Sequence, residues 1–166
     1  MPVSEQGINL NHFMLIPRVL IFLTRGNSIL LLKGANDKRL WAGLYNGIGG
    51  HIEQGESIIA AVNRELREET GLISQHIWLC GFITINTQTN PGVVIFVYKG
   101  ELTGGNLISS NKGLLKWVEQ SQLIHLPLVG DLPTLLPKII DMKQGDFPFY
   151  AHSSYNELGK IVVSFL

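Results

Sequence analysis

The sequence predicts an α/β domain in which helices cover a mixed β-sheet. Runs rich in Val, Ile, Leu and Phe precede, separate and follow two segments of helical spacing, an order typical of such a sheet. The chain has 166 residues, of which 45% are hydrophobic, enough for one core and little more. We therefore expect residues 1–166 to form a single domain, with the polar residues 1–12 loosely ordered.

The predicted strands are the apolar runs bounded by turn residues. They are expected at residues 18–24, 29–32, 45–48, 77–85, 93–98, 115–118, 147–150 and 161–165. The first two runs flank Gly26 and Asn27, which predicts a hairpin.

Two segments have helical spacing. Residues 57–70 form the first predicted helix, which ends at Gly71. The second helix begins after Asp131 as N-cap, with a proline in its first turn, and reaches about residue 142. Four residues give the first helix its apolar stripe: Ile58, Ile59, Val62 and Leu66.

Charge and cysteine content exclude several classes of protein. Lys and Arg number 13 and Asp and Glu number 13, so the chain lacks the basic surplus of a duplex-binding domain, and no stable nucleic-acid complex is expected. The one cysteine, Cys80, cannot form an internal disulfide. The most apolar stretch, residues 13–32, is interrupted by polar residues, and no signal-peptide pattern precedes it. We therefore expect a cytoplasmic protein without a membrane association.

Glutamates concentrate in the first predicted helix. Glu65 and Glu69 share a face beside the apolar stripe, with Glu68 adjacent. Acids this close repel one another unless a cation joins them, and ligand sets made only of oxygen favour Mg²⁺ or Mn²⁺ over Zn²⁺. The alternative is a solvated acidic face that Arg64 and Arg67 partly neutralise.

Glycines precede this helix. Gly49, Gly50 and Gly55 permit a loop whose backbone a ligand can approach closely, and a helix N-terminus offers N–H groups to anions. A metal and a phosphate can thus meet here. The alternative is that these glycines serve only to make turns.

Residues 50–72 resemble the Nudix box, GX5EX7REUXEEXGU, in which U is an aliphatic residue. Each defined position of the box is matched by Gly50, Glu56, Arg64, Glu65, Leu66, Glu68, Glu69, Gly71 and Leu72. The resemblance implies an α/β/α sandwich with a mixed sheet. It also implies hydrolysis of a diphosphate linked to another moiety, usually a nucleoside.

The resemblance further implies roles for individual residues. Glu65 and Glu69 would be the main metal ligands, and Glu68 would be an assisting ligand or a base. The carbonyl of Gly49 would be a further ligand. The pair of Arg64 and Glu56 would brace the loop against the helix. In such a site the metal activates water for attack on phosphorus.

The segment before the box carries the substrate hypothesis. Residues 41–50 are similar to the corresponding segment of MutT-related oxidised-purine nucleoside triphosphatases, and Asn46 takes the position of their base-binding asparagine. Asp131 takes the position of their base-reading acid. The alternatives are a turn or strand-end role for Asn46 and a plain N-cap role for Asp131.

Further candidates are weaker. Trp41 either stacks on a base or belongs to the core. Lys33, Arg39 and His51 either approach phosphate or are simply exposed.

One segment departs from the pattern of these enzymes. They commonly supply another Glu from a loop a few residues before the strand that contains Trp117, whereas residues 109–114 contain no acid. Glu53, Glu65 and Glu68 remain candidates for the catalytic base. Lys112 in this loop either touches a phosphate or is solvated.

Three functions are compatible with these patterns. The first is a Mg²⁺-dependent pyrophosphatase that converts an oxidised or other purine nucleoside triphosphate into the monophosphate and pyrophosphate. The second is a hydrolase of ADP-ribose, a dinucleoside polyphosphate, a nucleotide sugar or capped RNA. The third is a non-catalytic module that binds a small nucleotide, which the intact glutamate set disfavours. The oligomeric state stays open.

Overall fold

The computed structural model describes most of the chain. The described residues are 5–7, 9, 11–36, 40–73, 76–102, 105–108 and 110–166. The interpretation of Arg39 as a phosphate contact lies outside the described residues, as do residues 1–4, 8 and 10 of the segment that was expected to be loosely ordered.

Nine strands form one mixed sheet within the described ranges. They are β1 (Leu15–Arg25), β2 (Ser28–Gly34), β3 (Tyr45–Asn46), β4 (Ile48–His51), β5 (Ile77–Ile85), β6 (Gly92–Glu101), β7 (Gly113–Glu119), β8 (Phe149–Tyr155) and β9 (Ile161–Phe165). Their order is β3-β2-β1-β6-β5-β8-β9, with β4 also paired to β1 and β7 to β2. The β1–β6 and β5–β8 pairs are parallel and the other pairs are antiparallel, which confirms the predicted mixed sheet.

Two α-helices follow the predicted boundaries. Helix α1 (Ile58–Thr70) is capped by the Ser57 hydroxyl, which accepts a hydrogen bond from the Ala60 N–H at 3.3 Å. It ends at Gly71, whose φ of 71° lies in the left-handed region that glycine adopts without strain. Helix α2 spans Leu132–Asp141. In the described part of the chain, no helix has the length and apolar character needed to span a bilayer.

The helices lie on opposite faces of the sheet, which confirms the α/β/α sandwich. Side chains alternate along each strand, so one face of β1 and β2 packs on α1 and the other on α2. Buried residues of the α1 layer include Val19, Ile21, Leu23, Leu30, Val62 and Leu66. Those of the α2 layer include Phe22, Ile29, Leu31, Ile83, Val97 and Leu136. Cys80 is buried in this second layer.

Two predictions about the elements need correction, and one element was not predicted. Ile59 is exposed, because one residue turns a helix by about 100° and places it beyond the edge of the stripe that Ile58 begins. The eighth strand begins at Phe149, and the side chain of Phe147 is 96% exposed. A 3₁₀ helix at Gln120–His125 was not predicted.

The separation of β1 from β2 makes room for the site. The two strands pair at Leu23–Arg25 and Ser28–Leu30, next to their hairpin turn. Further from the turn, β1 pairs with β4 and β2 pairs with β3. The β3–β4 segment therefore lies in the gap between β1 and β2, which places its glycines at the centre of the sheet.

The packing of α1 gives a test of this core. Leu66→Ala removes a fully buried side chain between α1 and the sheet, so we expect a loss of about 2–5 kcal/mol in the free energy of unfolding. Urea denaturation measures it. Ile59→Ala makes the same type of change at an exposed position of the same helix and should cost less than about 1 kcal/mol. Equal losses in the two variants would contradict the observed orientation of α1.

Candidate active site

Two carboxylates of α1 face the sheet. Glu65 and Glu69 are 4% and 2% exposed, as the shared helical face predicted, whereas the side chain of Glu68 is 47% exposed. Gly50 of β4 lies directly against Glu65: a Cβ at Gly50 would be 2.2 Å from Glu65 Oε1. The absence of a side chain at Gly50 therefore lets α1 bring its carboxylate down to the strand.

The ammonium of Lys112 lies between the two buried carboxylates. Its Nζ is 2.9 Å from Glu65 Oε2 and 3.0 Å from Glu69 Oε1. Arg64 Nη1 is 2.7 Å from the other oxygen of Glu65, and the N–H of Gly49 donates to Glu69 Oε2 at 3.2 Å. Lys112 is thus only partly exposed, with 35% of its side chain accessible, and its ammonium pairs with both buried carboxylates.

Arg64 and Glu56 form the predicted brace. The guanidinium donates from Nε and Nη2 to the two oxygens of Glu56, both at 2.9 Å, and Nη2 also donates to the carbonyl of His51 at 2.9 Å. Glu56 Oε2 in turn accepts from the N–H of Glu53 at 3.1 Å. The hydrogen bond from Arg64 is the main cause that lowers the pKa of Glu56, and the same pair raises the pKa of Arg64. This network fixes the loop to α1.

In this cluster, burial and the neighbouring charges shift the pKa values of the side chains in opposite directions. Burial raises the pKa of Glu69, and the charge of Lys112 only partly counteracts this effect. Burial also disfavours the charged form of Lys112, but its hydrogen bonds and charge interactions with Glu65 and Glu69 outweigh that cost and raise its pKa. Burial thus disfavours the ionised form of Glu69, and the neighbouring ammonium favours it.

The donor set suits a hard divalent ion. Two carboxylates that contact one ammonium at 2.9 Å and 3.0 Å are close enough to share a single cation. Among the described residues, however, no three His, Cys, Asp or Glu side chains stand ready as a metal-binding cluster. Glu68 points toward the cavity rim, where its carboxylate is 3.6 Å from Arg64 Nη1. The residues fit a metal held by Glu65 and Glu69, with Glu68 outside the pair.

A cavity of about 510 Å³ extends from the carboxylates between β1 and the β2–β3 loop. Its volume is that of a small-molecule site. One part of its lining, which we call the charged end, consists of Arg18, His51, Glu53, Arg64, Glu65, Glu68, Glu69 and Lys112. Another part, which we call the apolar end, includes Leu20, Leu32, Leu40, Leu44, Ile95 and Val129. The same cavity therefore offers charged side chains for the ionic part of a ligand and an apolar surface for a ring.

Asn46 and Asp131 both line this cavity. Asn46 Oδ1 accepts a hydrogen bond from the Gly47 N–H at 2.8 Å, which leaves the amide nitrogen to donate to a ligand. Asp131 is 8% exposed and precedes α2, yet its carboxylate caps none of the first helical N–H groups. Asp131 is thus the N-cap residue of α2 by position, as predicted, but its side chain makes no capping hydrogen bond and lines the cavity. Burial raises the pKa of this carboxyl.

Trp41 and Lys33 differ in their placement. Trp41 lines the cavity and has a φ of 60°, a strained value for a bulky residue. Lys33 does not line this cavity in the described part of the structure: its ammonium lies 5.7 Å from the centre of the Tyr45 ring. His51 is at the cavity wall, next to the carboxylates.

Arg18 is a cavity residue that the sequence interpretation missed. It lies on β1 opposite His51 of β4, and its Nε is buried without a hydrogen-bond partner among the described residues. Burial lowers the pKa of the guanidinium, and burial together with the charge of Arg18 lowers the pKa of His51. An arginine inside an otherwise apolar strand was the available signal, because arginine is seldom buried without a partner.

The fold and the carboxylate site define a known class. The model of the NUDIX domain matches residues 14–139, and the chain belongs to the Nudix family. It is 40% identical over 119 residues to the NAD-capped RNA hydrolase NudC of Pseudomonas aeruginosa, an alignment that covers 72% of this chain and 39% of that protein. It is 26% identical over 122 residues to the oxidized purine nucleoside triphosphate hydrolase of Mus musculus, covering 72% of this chain and 78% of that one.

A solved structure confirms the fold. The MutT protein of Bacillus halodurans superposes with a TM-score of 0.76 at 21% identity, covering 91% of this chain and 97% of that chain. The NudC relatives are longer: this chain spans 39% of the length of the protein from Pseudomonas aeruginosa.

The buried Asp131 carboxyl predicts a pH dependence of stability. Its raised pKa means that the folded state binds the proton more tightly than the unfolded state, so wild-type stability should fall as pH rises above the ordinary value of 3.8 through the folded pKa. Asp131→Asn cannot ionise. Its stability relative to wild type should therefore be greater at about pH 7 than at about pH 4, as measured by urea denaturation.

A control separates this effect from a general change in charge. Asp141→Asn removes an exposed carboxylate at the other end of the same helix. The difference in the free energy of unfolding between this variant and wild type should therefore change less between the two pH values. An Asp131→Asn difference that stays constant with pH would contradict the raised pKa.

Proposed function

We propose that this chain is a Mg²⁺-dependent pyrophosphohydrolase that converts purine nucleoside triphosphates, including oxidised ones, into the monophosphate and pyrophosphate. The observation that carries the proposal is the pair of Glu65 and Glu69, buried together at one end of a cavity whose other end is apolar. A diphosphate with its metal matches the charged end, and a nucleoside matches the apolar end.

The charged end would hold the metal and the phosphates. Glu65 and Glu69 are the proposed ligands, assisted by Glu68 and the carbonyl of Gly49. Magnesium in such a site, or manganese in its place, neutralises charge on the phosphates and lowers the pKa of a bound water. Arg18 lines the same cavity with a buried N–H that has no partner in the described part of the chain, and it would donate to a phosphate oxygen.

The base that orients or deprotonates water would come from the cavity rim. Glu68 and Glu53 both line the cavity, and both are exposed. Glu65 is committed to Arg64 and Lys112 in this structure, so the two exposed carboxylates are freer to approach a water. Either one would accept the proton of the attacking water as the water oxygen bonds to phosphorus and the phosphoanhydride P–O bond breaks, so that pyrophosphate and the monophosphate separate.

The apolar end would bind the purine. The amide nitrogen of Asn46, which has no hydrogen-bond partner among the described residues, would donate to an acceptor on the ring edge. Asp131 lines the same cavity and would contact the ring edge as well. Leu40 and Trp41 offer surface for stacking on a ring. The named activity of the mouse relative supports this substrate class.

A second substrate class is supported by the other relative. The 40% identity to an NAD-capped RNA hydrolase favours a dinucleotide or a capped nucleic acid with the same diphosphate linkage. Both classes use the carboxylate end of the cavity alike, so only the products distinguish them.

The direct test is a substrate panel with Mg²⁺, with products separated by chromatography. The panel contains purine and pyrimidine triphosphates, an 8-oxo-purine triphosphate, ADP-ribose, a dinucleoside polyphosphate, a nucleotide sugar and NAD-capped RNA. We expect the monophosphate and pyrophosphate from purine triphosphates. Glu69→Gln should lower turnover by at least about a thousandfold, because it removes a buried charge that would hold the metal.

Controls make this result specific. Glu157→Gln neutralises a carboxylate in the exposed β8–β9 turn and should keep wild-type turnover. Circular dichroism should show that both variants are folded. Unchanged turnover in Glu69→Gln would contradict the assignment of Glu69 as a metal ligand. If the protein hydrolysed only capped RNA or a dinucleotide, the second substrate class would replace the proposed one.

Base recognition by Asn46 has its own test. Asn46→Ala removes the amide donor at the apolar end, so we expect KM to rise by about fivefold or more for purine triphosphates and less for pyrimidine ones. Asn111→Ala changes an exposed asparagine outside the lining of the cavity and should alter neither value. The same increase in KM for both classes of base would exclude a base-reading role for Asn46.

A further inference from the structure

Lys112 is held in place by its backbone as well as by its ammonium. Its N–H donates to the Ser110 hydroxyl at 3.2 Å, and its carbonyl accepts from the N–H of Ala35 at 3.4 Å. Gly113, the next residue, begins β7 and pairs with Gly34 of β2. The β6–β7 turn therefore presents the lysine to the carboxylates from a defined position at the cavity wall.

The two carboxylates depend on this lysine to different degrees. Glu65 has a second cation, since Arg64 contacts its other oxygen at 2.7 Å. Within the described residues, Lys112 is the only cationic side chain that contacts Glu69, whose remaining donor is the N–H of Gly49. A buried carboxylate without a cation is costly, so the ammonium compensates the charge of Glu69 in the metal-free protein.

The ammonium also lies where a shared divalent ion would have to lie. It contacts one oxygen of each proposed ligand, at 2.9 Å and 3.0 Å. The other oxygen of Glu65 accepts from Arg64 and that of Glu69 accepts from the N–H of Gly49, so an ion shared by the two carboxylates would use the oxygens that the ammonium contacts. A lysine and a divalent ion cannot both occupy that space between the same carboxylates. Each therefore excludes the other.

We propose that Lys112 is a positioning residue that competes with the divalent ion: it holds Glu65 and Glu69 together in the metal-free protein and must leave when the metal binds. This inference rests on the metal site of the proposed function. It predicts that loss of the lysine improves metal binding, whereas loss of an ordinary supporting residue weakens it.

The test measures metal affinity directly, without turnover. Mn²⁺ binding to the substrate-free protein is followed by electron paramagnetic resonance of the free ion, in wild type, Lys112→Gln and Lys112→Met. We expect Kd to fall by about tenfold in both variants, which corresponds to about 1.4 kcal/mol. Lys116→Gln removes an exposed ammonium from the neighbouring strand and should leave Kd within about twofold of wild type, because exposed charges contribute little.

Thermal unfolding gives an independent measurement. Without metal, Lys112→Gln should melt at a lower temperature than wild type, since Glu69 has lost its cation. Saturating Mg²⁺ should raise Tm more in the variant than in wild type, because no ammonium has to be displaced. Lys112→Met, which keeps the length of the stem, provides the same comparison if the glutamine variant does not fold.

The outcomes separate this inference from the proposed function. Equal or weaker Mn²⁺ binding in both Lys112 variants, with clear binding to wild type, would overturn the competition and leave the metal site standing. If neither wild type nor the variants bound Mn²⁺ at millimolar concentration, both the competition by Lys112 and the proposed metal site would be overturned.

Discussion

The negative charge of Glu65 and Glu69, buried between α1 and the sheet, is the constraint on which the site depends. Helix α1 must turn this face inward because Val62 and Leu66 on the same side form the core. A carboxylate buried without a partner costs several kcal/mol, so the surrounding chain has to supply donors. It does so with Arg64 from α1 itself, Lys112 from the β6–β7 turn and an N–H of β4.

The same constraint explains the glycines of β4. Gly50 leaves room for the Glu65 carboxylate, and a side chain there would meet it at 2.2 Å. Gly49 lies against the neighbouring strand β1, because a Cβ at this position would be 2.1 Å from the carbonyl of Val19. The strand can therefore pair with β1 and still touch α1 only if both positions lack side chains. The two glycines set the distance between sheet and helix.

Helix α1 could be predicted because the residues that determine it lie close together in the sequence. The rest of the site was harder to predict because its residues come from distant parts of the chain. Gly71 and the spacing of Glu65 and Glu69 act within a few residues, so the helix, its glycine C-terminus and its acidic face followed from the sequence. Lys112 meets Glu65 across 47 residues, through the β2–β7 register. Asp131 illustrates a middle case: its position before α2 was predicted, but its helical backbone turns the carboxylate away from a capping role.

Gly34, at the end of β2, connects the two ends of the cavity. Its N–H donates to the carbonyl of Leu44 and its carbonyl accepts from the N–H of Gly43, which closes the loop that carries Trp41. On its other side it pairs with Gly113, beside Lys112. A Cβ at Gly34 would lie 2.4 Å from the carbonyl of Trp41, so the position has no room for a side chain. The loop that carries Trp41 and the turn that carries Lys112 are therefore both joined by backbone hydrogen bonds to one glycine of β2, which holds them in register with each other.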